Sequence, residues 1–315
     1  MSAGAADAAV GLRFTGDPLP GLVAGIEGEL PLVEVELADA KVLDDRWNEA
    51  AAPAVIFERR FADGRPFLTV ERDDGAGYRI HAEEHGTHLV APDGGRCASA
   101  LPDDPEWHGL KLLAAQTLPL ISTLRGREVL HAAGVVVGDR LVGIVAASGT
   151  GKSATACNVI AQGGRFFADD VLALEVADGR VRAHPGTRLL NLYARDLEAI
   201  PEAGRERLGE RLGESDKVHF VPDGFPGVLP VSGLLFLRRA PEVAATAVAP
   251  ITSAPSRLLG NAFLPYFDRA HRLELQLEVM STLAQDVPLA ELVAAPGDGP
   301  EVLAGAVRAW AEGLQ

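Results

Sequence analysis

The sequence predicts a mixed α/β protein in two parts: an N-terminal β-rich module over residues 1–105 and an α/β domain over residues 106–315. Length is the first observation, since 315 residues correspond to about two domains at roughly 150 residues each. Composition is the second, because 47% hydrophobic and 23% charged residues are typical of chains with buried cores. The third is a change of pattern near residue 105, where short alternating segments give way to strand-like and helix-like segments in alternation.

The N-terminal module is predicted from short strand-like stretches separated by turn residues. Residues 32–37 (LVEVEL) alternate apolar and polar side chains, which is typical of a strand with one buried face. Asp-Gly pairs and related glycine-rich turns separate the stretches. We expect an antiparallel module with strands at residues 32–37, 54–57, 66–70, 78–81 and 87–90, the last two forming a hairpin.

The second part begins with a predicted helix over residues 107–124, where apolar side chains recur at helical spacing. Strand-like and helix-like segments then alternate, which predicts an α/β domain. The predicted strands are 130–137, 141–146, 166–168, 171–176 and 232–237, and the predicted helices are 152–162, 198–213, 256–263, 273–285 and 301–314.

Charge and cysteine content exclude several classes of protein. Twenty-nine basic and 44 acidic residues give a net charge of −15, which disfavours non-specific binding to nucleic acid or to an anionic membrane. Two cysteines, Cys97 and Cys157, cannot form a disulfide framework or a four-cysteine zinc site. The most apolar stretch, residues 130–147, contains charged side chains, and no signal peptide is visible. We therefore expect a cytoplasmic protein.

One motif dominates the chemistry. Residues 141–153 (LVGIVAASGTGKS) run from a strand through a glycine-rich loop into a helix, an order that lets backbone N–H groups surround a phosphate. Lys152 can reach the β- and γ-phosphates of ATP, and Ser153 can bind Mg²⁺. The strict motif has glycine where this chain has Ala146, and the alternative is a turn that binds nothing. The expected nucleotide-binding residues are Ala147, Ser148, Gly149, Thr150, Gly151, Lys152, Ser153 and Ala154.

Two adjacent carboxylates follow the next predicted strand. Asp169 and Asp170 stand at the end of residues 166–168, where a carboxylate can hold Mg²⁺ and a second one can accept the proton of an attacking hydroxyl. The alternative is an ordinary surface turn. Taken with the phosphate loop, the pair favours a catalytic role.

The histidines are weaker candidates. His131 opens an apolar strand, where a buried structural histidine and an active-site residue are equally good interpretations. His81, His85 and His88 have a spacing that suits metal binding on a helix, but their segment is typical of strands and a turn. Cys157 lies in the helix after the loop and is most simply a small core residue.

Together, these residues resemble the bacterial HPr kinase/phosphorylase family. The resemblance covers residues 128–176 and rests on residues 130–131, 149–153, Gly164 and 168–170. It is closest to the HPr-kinase-like proteins of peptide natural-product pathways, such as those for lasso peptides. It implies a P-loop kinase domain of the HPr kinase or phosphoenolpyruvate carboxykinase type over residues 106–315.

The resemblance also implies roles for single residues. Lys152 binds phosphate, Ser153 and Asp169 bind Mg²⁺, Asp170 is the catalytic base, and His131 belongs to the active site. The exchanged assignment of Asp169 and Asp170 is the alternative. Related kinases often form oligomers, so a homo-oligomer is expected.

The chain departs from the regulatory kinases of that family further along. Their signature of glutamate, arginine and glycine is missing, and residues 184–189 (HPGTRL) resemble the peptide-pathway relatives instead. This argues against HPr as the substrate and against phosphorylase activity. A further cation is sought among Lys217, Arg257, Arg269 and Arg272.

The function expected from the sequence is ATP- and Mg²⁺-dependent phosphoryl transfer to a hydroxyl, a serine of a protein or of a ribosomal precursor peptide. One alternative is a nucleotide-binding partner or scaffold without turnover, which an intact pair of Asp169 and Asp170 disfavours. Another is a small-molecule kinase. Carboxykinase chemistry would need further arginine and metal-ligand motifs, which the sequence lacks.

Overall fold

A computed structural model describes residues 7–19, 23–24, 29–102, 106–223, 226–251, 255–264 and 270–314. The chain divides into two compact units, one of residues 1–127 and 264–272 and the other of residues 128–263 and 273–315. The helical segment after residue 105 belongs to the first unit, whereas the sequence analysis assigns it to the second domain.

The elements make this a mixed α/β protein with several sheets. The strands are β1 (Asp7–Ala9), β2 (Leu12–Gly16), β3 (Val23–Ala24), β4 (Leu32–Leu37), β5 (Ala54–Arg60), β6 (Pro66–Asp73), β7 (Gly77–Ala82), β8 (Gly86–Val90), β9 (Arg96–Ala100), β10 (Glu128–Leu130), β11 (Ala132–Val137), β12 (Arg140–Val145), β13 (Arg165–Ala168), β14 (Leu172–Ala177), β15 (Arg180–His184), β16 (Leu190–Leu192), β17 (Glu210–Glu214), β18 (Val218–Val221), β19 (Leu229–Arg239), β20 (Ala247–Pro250) and β21 (Leu289–Ala294). The helices are α1 (Ala40–Trp47), α2 (Glu106–Leu112), α3 (Leu118–Leu124), α4 (Lys152–Ala161), α5 (Ala194–Glu198), α6 (Glu202–Arg205), α7 (Pro255–Leu259), α8 (Ala270–Asp286) and α9 (Pro300–Glu312).

The first unit is built on a nine-stranded sheet in the order β3-β1-β2-β4-β9-β8-β7-β6-β5. The expected hairpin is present, since β7 and β8 pair in antiparallel fashion. The sequence predicts a wholly antiparallel module, whereas β4 pairs in parallel with both β2 and β9. The period-two pattern of β4 reports which of its faces is buried and carries no information on the direction of its neighbours.

The predicted helix over residues 107–124 is confirmed as one helical segment. It consists of α2, a π-helical turn at Leu113–Thr117, and α3. The turn inserts an extra residue per hydrogen-bonded ring, and the buried side chains continue through it into α3. The helix α1, whose Leu43 and Trp47 are buried, has no counterpart in the sequence analysis.

The second unit has a sheet in the order β10-β14-β15-β19-β12-β11-β13, with β21 added beside β19 and β20 beside β21. The strand β12 lies inside this sheet, parallel to β19 and antiparallel to β11. One face packs α4 and α9 through an apolar cluster that includes Cys157, Val159 and Val307. The other face packs side chains of α8, such as Val279 and Leu283. Burial on both faces explains why β11 and β12 are apolar, apart from Arg140 at the start of β12.

Two sequence predictions in this unit are wrong in detail. The strand predicted over residues 130–137 is interrupted at His131, because β10 pairs with β14 while β11 pairs with β12 and β13. The helix predicted over residues 198–213 consists instead of α5, α6, a 3₁₀ turn at Glu206–Leu208 and β17. Pro201 disfavours helical backbone at the residue before it, and Gly209 has a φ of 96° at which a Cβ would lie 2.1 Å from the Val221 oxygen.

Among the residues that the structure describes, no helix is long and apolar enough to cross a membrane.

The stability of the first unit should depend on pH through His88, a fully buried side chain of β8. Its Nδ1 lies 2.8 Å from the Ser99 hydroxyl, and burial lowers the pKa of His88 to about 3. Below about pH 6.5 His88 is protonated in the unfolded chain but stays neutral in the folded chain. The free energy of unfolding therefore falls as the pH drops from about 6.5 towards 3. We expect His88→Leu to reduce the pH slope of the free energy of unfolding by up to about 1.4 kcal/mol per pH unit.

Urea unfolding between pH 7 and pH 4.5 measures that slope. The control is Leu89→Val, which changes the half-buried side chain next along β8, removes no titratable group and should keep the wild-type slope. An unaltered slope in His88→Leu would contradict the assignment of the pH dependence to this side chain.

Candidate active site

The glycine-rich loop joins the end of β12 to the start of α4. Gly149 and Gly151 have φ angles of 80° and 112°, which non-glycine residues rarely adopt. Gly151 directly precedes α4, whose first backbone N–H groups have no carbonyl of an earlier helical turn to bond. Ala146, which stands where the strict motif has glycine, is buried in the core of the unit. The loop thus presents N–H groups and a helix N-terminus, the arrangement that attracts anions.

The two residues that open α4 each contact one of the two aspartates. The Lys152 Nζ donates to Asp170 Oδ1 at 2.5 Å, and the Ser153 hydroxyl donates to Asp169 Oδ1 at 2.8 Å. Lys152 is buried although it is charged, and Asp170 remains 36% exposed. The structure therefore brings the predicted loop residues and the predicted carboxylate pair into one cluster.

The backbone at Asp170 makes a tight turn. The Val171 N–H donates to the Asp169 carbonyl at 2.8 Å, and Asp170 between them has a φ of 65°. A three-residue turn with a positive central φ is rare for a residue with a Cβ, and such backbone strain is concentrated at functional sites. Because of this turn, the carboxylate of Asp169 contacts Ser153 while that of Asp170 contacts Lys152.

His131 joins the cluster from the break between β10 and β11. Its Nε2 lies 3.6 Å from Asp170 Oδ1, and its ring meets the Phe263 ring edge-on at 5.6 Å between centroids. Its backbone N–H donates to the Asn261 carbonyl at 3.1 Å. Of the two interpretations open to the sequence, this placement favours the active-site residue over the buried structural histidine.

The two aspartates have opposite electrostatics. Burial raises the pKa of Asp169, and the charge of Asp170 raises it further, while Lys152, Ser153 and Asn191 offset part of the effect. Burial would also raise the pKa of Asp170, but the Lys152 ammonium and His131 outweigh it and hold that pKa below its usual value. Asp170 is therefore ionised at neutral pH, and a further cation beside Asp169 would favour the ionised form of that carboxyl.

A hydrogen-bond chain behind Asp169 has no signal in the sequence. The Asn191 N–H of β16 donates to Asp169 Oδ2 at 3.1 Å, and the Asn191 side-chain oxygen lies 2.6 Å from Nδ1 of the buried His219. The His219 Nε2 lies 3.1 Å from the Ser215 hydroxyl, which donates to Asp216. The small sheet β16-β18-β17 thus positions the Asp169 carboxylate through the oxygen that does not contact Ser153.

The basic residues sought as a further cation have other partners. Arg257 pairs with Glu291, Arg272 NH1 donates to the Leu264 carbonyl, and Lys217 lies 5.0 Å over the Tyr193 ring. Arg269 lies outside the described residues.

A different arginine, Arg239, donates from Nε to the Thr150 carbonyl of the loop at 3.2 Å.

The first unit does not assemble the alternative metal site. His81 Nδ1 lies 2.8 Å from the Thr87 hydroxyl, and His88 bonds Ser99. Within the described ranges, no three or more His, Cys, Asp or Glu side chains form a group that could hold a metal ion. Cys157 is fully buried in the core of the second unit, as the sequence analysis expects.

The phosphate-loop motif implies Mg²⁺, and the residues present fit it. Ser153 Oγ and Asp169 Oδ1 are hard oxygen donors that already lie within hydrogen-bond distance of each other. Burial and the neighbouring charge of Asp170 raise the pKa of Asp169, so a bound cation would favour its ionised form. Mg²⁺ in nucleotide sites is commonly held by one or two such side chains together with phosphate oxygens and water.

Comparison with known proteins does not assign a family. No family model matches the chain, and no curated protein matches it. Among solved structures, it is similar to that of the HPr(Ser) kinase/phosphatase from Coxiella burnetii, with 16% sequence identity over 58% of this chain and 90% of that one, at a TM-score of 0.32.

Removal of the Lys152 charge should raise the pKa of Asp170. The ammonium is the strongest influence that lowers this pKa, so in Lys152→Met the effect of burial is opposed mainly by His131. A carbon-13 NMR titration of the aspartate carboxyl carbons measures the change. The control is Lys41→Met, which removes an exposed lysine of α1 and should leave the titration of Asp170 as it is. An unchanged Asp170 in Lys152→Met would contradict the electrostatic origin given above.

Proposed function

We propose that this protein is an ATP-dependent kinase that transfers the γ-phosphoryl group to a hydroxyl, that of a serine in a protein or in a ribosomally made peptide. One observation carries the proposal: Lys152 and Ser153 of the phosphate loop each contact one of two adjacent carboxylates at the end of β13. A phosphate-binding loop, a metal-binding pair and an ionised base within one cluster are the parts that phosphoryl transfer needs.

The loop holds the nucleotide in this proposal. Backbone N–H groups between Ala147 and Ala154 surround the phosphates, and Lys152 places its charge on the β- and γ-phosphate oxygens. Lys152 must then divide its contacts between phosphate and Asp170. As its hold on Asp170 weakens, the pKa of that carboxylate rises, and Asp170 becomes a better base when ATP is present.

Ser153 and Asp169 would hold Mg²⁺, which neutralises charge on the phosphate oxygens when it is bound. The N–H of Asn191 keeps the second oxygen of Asp169 in place, so that the first one stays directed at Ser153. The chain His219–Ser215–Asp216 fixes Asn191 in turn.

Asp170 is the proton acceptor in the transfer. The acceptor oxygen forms a bond to the γ-phosphorus, the bond from that phosphorus to the β–γ bridging oxygen breaks, and ADP leaves with the electron pair. The hydroxyl proton passes to Asp170, which is ionised at neutral pH. His131, 3.6 Å away, orients that carboxylate.

A serine acceptor is proposed from the resemblance of residues 128–176 to HPr-kinase-like proteins. A peptide acceptor is favoured because residues 184–189 resemble the peptide-pathway relatives and lack the signature of the regulatory kinases. The best panel of candidate acceptors is therefore a set of serine-containing peptides, with HPr included as a comparison.

Asp170→Asn should leave ATP affinity within a few-fold of wild type and reduce turnover by about 10²–10⁴-fold, the usual contribution of a general base. Asparagine keeps the size of the side chain and removes the proton acceptor. Transfer of ³²P to the peptide panel measures turnover, and calorimetry measures ATP affinity. Asp178→Asn is a matched control, because Asp178 also has a positive φ but lies exposed in the turn between β14 and β15. Wild-type turnover in Asp170→Asn would mean that the carboxylate is structural.

Asp169→Asn should act on the metal. Removal of a direct ligand is expected to weaken the apparent affinity for Mg²⁺ by more than the roughly 10–100-fold typical of an outer-shell partner. Calorimetric titration of ATP with and without Mg²⁺ gives the metal-dependent part of binding, which should shrink in Asp169→Asn and persist in Asp178→Asn. Equal Mg²⁺ dependence in Asp169→Asn and wild type would remove Asp169 from the metal site.

A further inference from the structure

We propose that Arg239 is a further phosphate-binding residue of this site, a second cation beside Lys152. The inference rests on the proposed nucleotide site and adds to it a residue from a distant part of the sequence. It also answers which arginine supplements the loop, for which the sequence offers only Arg257, Arg269 and Arg272.

Strand register brings Arg239 to the loop. The strand β19 runs parallel to β12, with Val145 paired to Phe236. The strand β12 ends at Val145 and the chain turns into the loop, while β19 continues to Arg239. The last side chains of β19 therefore pass alongside residues 146–151.

Two hydrogen bonds fix the guanidinium of Arg239. Its Nε donates to the Thr150 carbonyl at 3.2 Å, and its NH1 donates to the Asp298 carbonyl at 3.4 Å. Its NH2 lies 3.4 Å from the point that a Cβ on Gly151 would occupy, just before α4 begins. In the part of the chain that the structure describes, this NH2 donates to no protein group. The guanidinium thus holds available donors beside the helix N-terminus.

Arg239 also has no ion-pair partner among the described residues. The neighbouring Arg238 pairs with Glu242 and Glu291, and Arg257 shares Glu291. Arg239 forms no ion pair with any described carboxylate, although the chain has a net charge of −15. The charge of Lys152 is partly neutralised by Asp170, so the guanidinium of Arg239 adds to the attraction for an incoming phosphate.

The alternative is that Arg239 only braces the loop through the Thr150 carbonyl. Glutamine at this position keeps an N–H donor for that carbonyl but has neither the charge nor the second donor group. If Arg239 only supports the loop, Arg239→Gln should keep most of that support. If Arg239 binds phosphate, Arg239→Gln should lose the phosphate contact. The matched control is Arg238→Gln, which changes the adjacent exposed arginine of the same strand.

The experiment measures the affinities of wild type, Arg239→Gln, Arg239→Lys and Arg238→Gln for Mg-ATP and for pyrophosphate by calorimetry at two salt concentrations. We expect Arg239→Gln to weaken both ligands by about 10–100-fold, the effect of one charge-assisted hydrogen bond, and to flatten the salt dependence. Arg239→Lys should recover part of the affinity because it restores the charge. Arg238→Gln should match wild type in ligand affinity, and thermal unfolding checks that all four proteins are folded.

The outcomes separate this inference from the proposed function. Wild-type affinity and salt dependence in Arg239→Gln, together with phosphoryl transfer by wild type, would overturn the role of Arg239 and leave the kinase intact. Pyrophosphate binding that depends on Arg239, without ATP binding or transfer, would support Arg239 and overturn the kinase. Absence of binding to both ligands in wild type would overturn both.

Discussion

Two neighbouring carboxylates, one buried and one partly buried, repel each other, and the candidate site is organised around the compensation of that repulsion. Asp169 and Asp170 are adjacent in sequence, and each receives a donor from the first turn of α4. Full ionisation of both would be costly without those donors, because a low-polarity environment strengthens repulsion between like charges. The ammonium of Lys152 bonds Asp170 directly, whereas Asp169 accepts hydrogen bonds from the neutral donors Ser153 and Asn191 and feels the Lys152 charge only at longer range.

This compensation links distant parts of the second unit. The tight turn at Asp170 separates the two carboxylates, the N–H of Asn191 fixes Asp169, and His131 borders Asp170 from the other side. A ligand that draws Lys152 or Ser153 away changes the charge balance of both aspartates at once. The site is therefore a coupled set of groups, and the loop and the carboxylates cannot be described independently.

The parts of the site that sequence could predict are those encoded locally. The loop carries its own signature because glycine, lysine and serine must stand at fixed positions within one turn, and the aspartates follow a recognisable strand. Arg239, Asn191 and His219 reach the cluster through strand pairing between segments far apart in the chain. No spacing rule within a single sequence reports such pairing, so these residues carry no signal of their own.

The fold shows the same division. The helix over residues 107–124 and the strands around the loop follow from periodicity, which depends on burial of one face or both. The helix expected over residues 198–213 differs most from the structure, because its charged residues favour helix while Pro201, Gly209 and pairing with β18 impose shorter elements and a strand. The sequence likewise does not indicate whether β4 pairs in parallel, because the neighbours of a strand depend on the fold as a whole.

The break at His131 has a consequence for local motion. Residues on either side of it are tied to the segment after α7: Leu130 bridges Ala262, the His131 N–H bonds the Asn261 carbonyl, and the Phe263 N–H bonds the Val129 carbonyl. The His131 amide can exchange with solvent only when this short ladder opens. The hydrogen-exchange rate of this amide therefore reports how often residues 261–263 detach from the edge of β10. The same residue carries the ring that borders the two carboxylates.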